Sequence, residues 1–186
     1  MAAGAAELFA ERGYANTTLE DLATHLGVAK PTIYQYVKSK GALLEAIVEP
    51  VFKRLLDSNS KALASSDDPA GQVTALVRGM ALVIADSVTA FLVFLGDEKE
   101  LPPRRRRKFD RWQRDIASTL EEALARCRDA GVLRDDVDPK IASFLIIGML
   151  TSISRWYDPA GPMGPEALAE QALALTAGCF VVPAPS

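Results

Sequence analysis

The chain has little of what builds catalytic and metal sites: one histidine, His25, and two cysteines, Cys127 and Cys179, among 186 residues. The cysteines stand far apart in apolar or amphipathic stretches, without the spacing of a zinc site, and read as reduced core thiols. Neither a nucleophile elbow nor a phosphate-binding glycine loop occurs, and no cofactor or metal is expected. The nearest approach to an acidic metal motif, Asp135, Asp136 and Asp138, falls in a loop where Asp138 is placed to cap the next helix. β-Branched clusters are scarce, so no strand pattern competes with helical periodicity. The longest apolar run, Ile141 to Ile153, is shorter than the ~20 residues that cross a bilayer. Met1 is followed by small residues and an acid rather than by a basic and apolar leader. These absences lead to the expectation of a cytoplasmic protein with no membrane partner.

What is present is ordinary globular material, 49% hydrophobic and 24% charged, rich in alanine and leucine. Breakers and caps divide it into about nine helical stretches, an all-α chain. The first runs from Ala2 to Arg12 and the second from Leu19 to Leu26, with Thr18 as cap and Asp21 three residues on. The third starts at Pro31 and ends near Val37. The fourth, capped by Ser39, runs to about Ala64 with Pro50 inside it, where a kink is expected. The fifth and sixth, Ala70 to Ala85 and Val88 to Leu95, are strongly apolar. The seventh runs from Pro103 to Gly131, the eighth from Lys140 to Tyr157, and the ninth from Glu166 to about Val181. We expect an N-terminal three-helix unit over residues 1–47 and a C-terminal helical bundle over 48–186.

The formal charge of -3 is an average that hides a basic window. Between Leu22 and Leu44 lie Lys30, Lys38 and Lys40 and no acid at all. The same window has two short helices joined at Gly27, with Leu22, Ala23, Leu26, Val28 and Ile33 as internal positions, the pattern of a helix-turn-helix. The second helix then presents Lys30, Thr32, Gln35 and Tyr36, side chains suited to base edges and phosphates. Lys38 and Lys40 follow where they can neutralise backbone phosphates. An ordinary helical hairpin is the competing reading of this pattern.

The stretches AAELFAERGYANTTLEDLATHLGV and KPTIYQYVKSKGALLEAI resemble the opening of the tetracycline-repressor family. Pro31, Thr32, Tyr34, Val37, Lys38, Lys40 and Leu43-Leu44 match at set spacing, over about Ala5 to Ile47. The resemblance implies a homodimeric, ligand-responsive repressor of a palindromic double-stranded DNA operator. By position it implies that Thr18 binds phosphate and that Lys30, Pro31, Thr32 and Gln35 face bases. Tyr34, Tyr36 and Lys40 would then hold the DNA backbone, with packing on the first helix as the other reading of the tyrosines. Gly41 departs from the family's usual acid. The basic residues that usually precede the first helix are not in this sequence, so no arm contact is carried over.

The same resemblance implies an effector pocket in the bundle. Its candidate lining is Phe52, Leu55, Met80, Ile84, Phe91, Phe94, Trp112, Ile116, Phe144 and Ile147, each of which also reads as plain core. Arg155-Trp156-Tyr157 before a Pro/Gly loop resembles the corresponding stretch of members that answer to acyl-CoA thioesters. Arg155 is then a candidate partner for a carboxylate or phosphate, or a cap for its own helix. A small apolar or acyl-CoA-like effector follows as the expectation. The run Arg104 to Lys108 reads as a solvated surface offset by Asp97, Glu98 and Glu100, as an anion site, or as extra DNA contact. Ala142, Leu145, Ile146 and Met149, with Leu168, Ala172 and Leu175, have the spacing of a four-helix dimer seam. A small helical enzyme and an interaction module that ignores DNA are the alternative classes.

Overall fold

The computed structural model describes residues 1–97, 101 and 103–181. Among them are nine α-helices and one isolated β-bridge, between Leu133 and Phe180. The order is α1 (Ala2–Arg12), α2 (Leu19–His25), α3 (Lys30–Tyr36), α4 (Lys40–Ala64), α5 (Pro69–Ala85), α6 (Val88–Asp97), α7 (Pro103–Asp129), α8 (Pro139–Trp156) and α9 (Pro165–Thr176). No single helix among the described residues is long and apolar enough to cross a membrane.

Local chemistry sets most of the boundaries. Thr18 and Asp21 close a reciprocal capping box on α2: the Asp21 amide donates to Thr18 Oγ1 at 3.1 Å and the Thr18 amide to Asp21 Oδ2 at 2.8 Å. Ser39, Asp68 and Asp138 cap α4, α5 and α8 in the same way, each accepting an amide three residues on. Gly13 and Gly27 take positive φ, +81° and +65°, where the chain reverses after α1 and α2. Pro50 does not break α4. It and Ala46, whose carbonyl loses its partner, are both exposed, so water can satisfy that group. The ninth helix stops at Thr176, short of the expected Val181. A 3₁₀ turn over Ala177–Cys179 then carries Phe180 to its bridge with Leu133, the Val181 amide donating to the Val132 carbonyl.

The core is centred on α5, which packs against α4, α7, α8 and α9. Its Val73, Leu76, Val77 and Ala81 are fully buried. In the N-terminal unit Phe9 meets Tyr14 edge-on, with centroids 5.2 Å apart, over Leu22, Ile33 and Leu44. Helix α1 also packs on α4 and α6. Residue 47, the expected boundary between the two units, lies within α4, so one helix runs on from the N-terminal helices into the bundle.

Candidate nucleic-acid interface and effector cavity

Helix α3 is anchored by a single fully buried residue, Ile33, and turns the rest of its surface outward. Pro31, Gln35 and the two tyrosines are exposed, Tyr34 at 56% and Tyr36 at 73%. Packing on the first helix therefore does not account for either tyrosine. Thr32 is half-buried beside them. Lys30 is the first residue of α3 and Pro31 the second, one place later than expected.

Three of the expected DNA-facing groups carry intramolecular partners. Lys30 Nζ lies 2.6 Å from Glu20 of α2 in an exposed ion pair. The Thr18 hydroxyl donates to Asp21 Oδ2 at 2.6 Å while accepting the Asp21 amide. Those hydrogen bonds from Thr18 hold the Asp21 carboxyl below its ordinary value. Lys40 reaches back across 26 residues. Its ammonium donates to the carbonyls of Tyr14 at 2.6 Å and Ala15 at 3.3 Å, and sits 4.2 Å from the centre of the Tyr14 ring. It thus ties the start of α4 to the loop before α2, a positioning task that spacing alone does not reveal. Lys38 and His25 are exposed.

An apolar cavity of about 210 Å³, partly open to solvent, lies between α4, α5, α6, α7 and α8. Phe52, Met80, Ile84, Phe91, Phe94, Phe144 and Ile147 line it, as do Leu55 and Ile116. Trp112 lies outside the lining and stacks on Phe52 at 5.8 Å. Arg155 is exposed on the last turn of α8, also outside the cavity. That helix is closed instead by Tyr157, whose amide donates to Ile153 and whose hydroxyl donates to the Met163 carbonyl. Sequence reasoning missed Leu95, Gln113, Ala117, Leu150 and Thr151 in the lining. Gln113 and Thr151 are the polar side chains there, and nothing in their spacing marked them out. A larger depression of about 730 Å³ between α1, α4 and the α5–α6 turn is an open groove with a polar rim.

The basic run is divided between solvent and α4. Arg104 and Arg107 are exposed, whereas Arg105 meets Glu45 at 2.6 Å. Lys108 meets Glu45 at 3.1 Å and Glu49 at 2.8 Å, and its ammonium sits 4.9 Å from the Trp112 ring centre. Burial alone raises the Glu45 pKa, but hydrogen bonds from Lys108 and Arg105 outweigh it and hold that carboxyl low. Hydrogen bonds from Lys108 and Lys53 do the same for Glu49. These acids, at i and i+4 on α4, are the partners found. Glu98, Glu100 and the Asp97 side chain, which the sequence offered as partners, lie outside the described residues.

The seam residues separate into two sets. Ala142, Ile146, Leu168 and Ala172 are buried within the chain and belong to its own core. Leu145 at 69% and Leu175 at 71% are exposed, Met149 is half-buried, and Ile141 and Phe144 extend the exposed apolar face of α8.

Known proteins share both sequence and architecture with this chain. Residues 2–47 match the model for bacterial regulatory proteins of the tetR family, and residues 66–179 match a tetracyclin repressor-like C-terminal domain. The chain is 26% identical over 179 residues to the HTH-type transcriptional repressor KstR2 of Mycolicibacterium smegmatis, covering 94% of this chain and 85% of that one. It is 30% identical to the TetR family regulator PfmR of Thermus thermophilus, with a TM-score of 0.85 over 95% and 96% of the two chains. AibR, solved with isovaleryl coenzyme A and operator DNA, shares the fold at 23% identity, with a TM-score of 0.79 and 94% of each chain covered. An exposed recognition helix, an α4 rod leading to an apolar cavity, and two family models that together span most of the sequence converge: the chain belongs to the tetracycline-repressor family and is a DNA-binding transcriptional regulator, not an enzyme.

Proposed function

We propose that the chain works in the cytoplasm as a homodimeric repressor of an inverted-repeat operator, released when a small apolar effector fills the cavity. The observation that carries this reading is the outward face of α3, where Thr32, Tyr34, Gln35 and Tyr36 surround the single anchor Ile33. Such a face enters a major groove, with Gln35 and Thr32 reaching base edges and the tyrosines reaching phosphates. Pro31 adds an apolar contact suited to a thymine methyl. Lys30 and Thr18 supply phosphate contacts after exchanging their present partners, and Lys40 holds the backbone of the motif in register.

Dimerisation rests on the exposed apolar stripe of α8 and α9, Ile141, Phe144, Leu145 and Leu175, which is unfavourable in water and which the same stripe of a second copy would cover in a two-fold dimer. A two-fold dimer reads two half-sites about one helical turn apart, hence an inverted repeat. Effector control rests on the cavity, because Phe52 and Leu55 of α4 form part of its wall. A ligand that favours one setting of α4 shifts the spacing of the paired recognition helices.

An acyl-CoA thioester is the second effector class, favoured by the isovaleryl coenzyme A bound to AibR. Only its acyl chain suits a cavity of about 210 Å³ without charged lining. Selection of binding sites from random DNA by the purified protein tests the reading. Enrichment of an inverted repeat, released by an apolar ligand or by isovaleryl coenzyme A, is the expected result. Enrichment of no sequence at low salt would contradict it.

A further inference from the structure

Asn59 is a buried polar side chain that the fold leaves unanswered. It is 3% exposed, and neither its Oδ1 nor its Nδ2 has a hydrogen-bond partner. The other buried polar residues, Thr17, Ser143, Ser154 and Thr176, all donate to a carbonyl three or four positions back on their own chain. Asn59 makes no such bond, and its amide is too polar for an apolar core. Leaving both of its polar atoms unpaired in the core is unfavourable.

Asn59 is not among the residues that line the cavity, but its place on α4 is close to them. Asn59 follows Phe52 by seven residues and Leu55 by four, and both of those line the cavity. This spacing sets all three on one stripe of α4. Side chains on a helix lean toward its N-terminus, so the Asn59 amide leans toward Leu55 and the cavity. Across the α4–α5 contact, a β-carbon on Gly79 would collide with the Ser58 hydroxyl. That close approach is made by Ser58 of α4 and Gly79 of α5, the positions next to Asn59 and to Met80, and Met80 lines the cavity.

We propose that Asn59 is the polar selector at the end of the cavity bounded by Met80, recognising a neutral carbonyl or hydroxyl oxygen on an otherwise apolar ligand. The flexible thioether of Met80 moves aside to admit that oxygen. The group recognised is neutral because no charged side chain lines the cavity, so a carboxylate would arrive there unpaired. The ligand is small, since about 210 Å³ holds roughly seven water-sized groups at ~30 Å³ each. The inference rests on the reading of this cavity as the effector site.

Two near-isosteric probes of six heavy atoms, small enough for the cavity, test it: cyclopentanone and methylenecyclopentane, which differ in a carbonyl oxygen against a methylene group. Their dissociation constants are measured by calorimetry on the wild-type chain and on Asn59→Leu, with Asn59→Ala as a second variant. The ratio of ketone to hydrocarbon dissociation constants cancels the hydration of the free probes when compared between proteins. A ratio at least tenfold higher in both variants than in the wild type is the expected result. Ratios within twofold of each other, with both probes binding, overturn the role of Asn59 and leave the effector cavity standing. Failure of both probes to bind the wild type overturns the selector and the cavity reading together.

Discussion

Lys108 Nζ lies 2.8 Å from Glu49 Oε2, fastening the first turns of α7 to the third turn of α4. The same ammonium rests against Trp112, which stacks on Phe52 in the cavity wall. One lysine therefore touches both the aromatic cluster behind the cavity and the rod that leads to α3. Lys108→Met keeps the aliphatic packing and removes the charge. We expect the variant to fold and bind DNA, while the ratio of its operator affinities without and with effector shrinks at least threefold. Fluorescence anisotropy on labelled operator measures both arms, and an unchanged ratio would show that the latch does not connect cavity to DNA.

The latch also sets a pH response. Glu45 and Glu49 are both held below their ordinary 4.5 in the folded protein. A carboxyl with a depressed folded pKa contributes stability that is fully present above its unfolded pKa and is lost as pH falls through the folded one. Urea midpoints should therefore fall more steeply below about pH 4.5 in the wild type than in a Glu45→Gln, Glu49→Gln variant. Parallel profiles would show that the latch carries no share of the stability.

Leu145 and Leu175 project from α8 and α9 with most of their surface in water. Leu145→Glu places a charge on that face without opening the core. Sedimentation velocity should show a shift from dimer to monomer at micromolar concentration, with near-unchanged helical content and a loss of operator affinity of at least tenfold. A variant that remains dimeric would move the seam elsewhere.

Lys38 and Lys40 separate an electrostatic role from a positioning one. Lys38 is exposed and bound to nothing described, so Lys38→Ala should reduce the salt slope of DNA binding by ~0.9 and leave stability within ~0.5 kcal/mol. Lys40→Met loses two hydrogen bonds and a cation–π contact, which predicts destabilisation of about 2 kcal/mol. Faster hydrogen exchange at the Thr17 amide, which bonds the Tyr14 carbonyl, reports the loosened loop. Equal behaviour of the two variants would contradict the distinction.

The helices are legible in the sequence because their ends carry side-chain chemistry: the Thr18–Asp21 box, the Ser39 and Asp138 caps, and proline in the first turns. Much of the cavity is legible too, since Phe52, Met80, Ile84 and Phe91 recur at helical spacing on apolar helices. Periodicity fails on α8, which is apolar on nearly every side. It cannot tell Ile146, which faces the chain's own core, from Leu145, which faces out. The partners of Lys40 and Lys108 lie 26 and about 60 positions away, and no local pattern announces a contact at that distance. Asn59 escapes a reading of the sequence because a lone amide on an amphipathic helix ordinarily faces water.

Whether the exposed face of α3 reads DNA is decided by titrating the selected inverted repeat with the wild type and with a Gln35→Ala, Tyr36→Ala variant, alongside their thermal unfolding. Both side chains are exposed, so the variant should unfold within a few degrees of the wild type. Its operator binding should be at least a hundredfold weaker, approaching the affinity for unrelated DNA. Undiminished, sequence-specific binding by the variant would mean that another surface reads the operator.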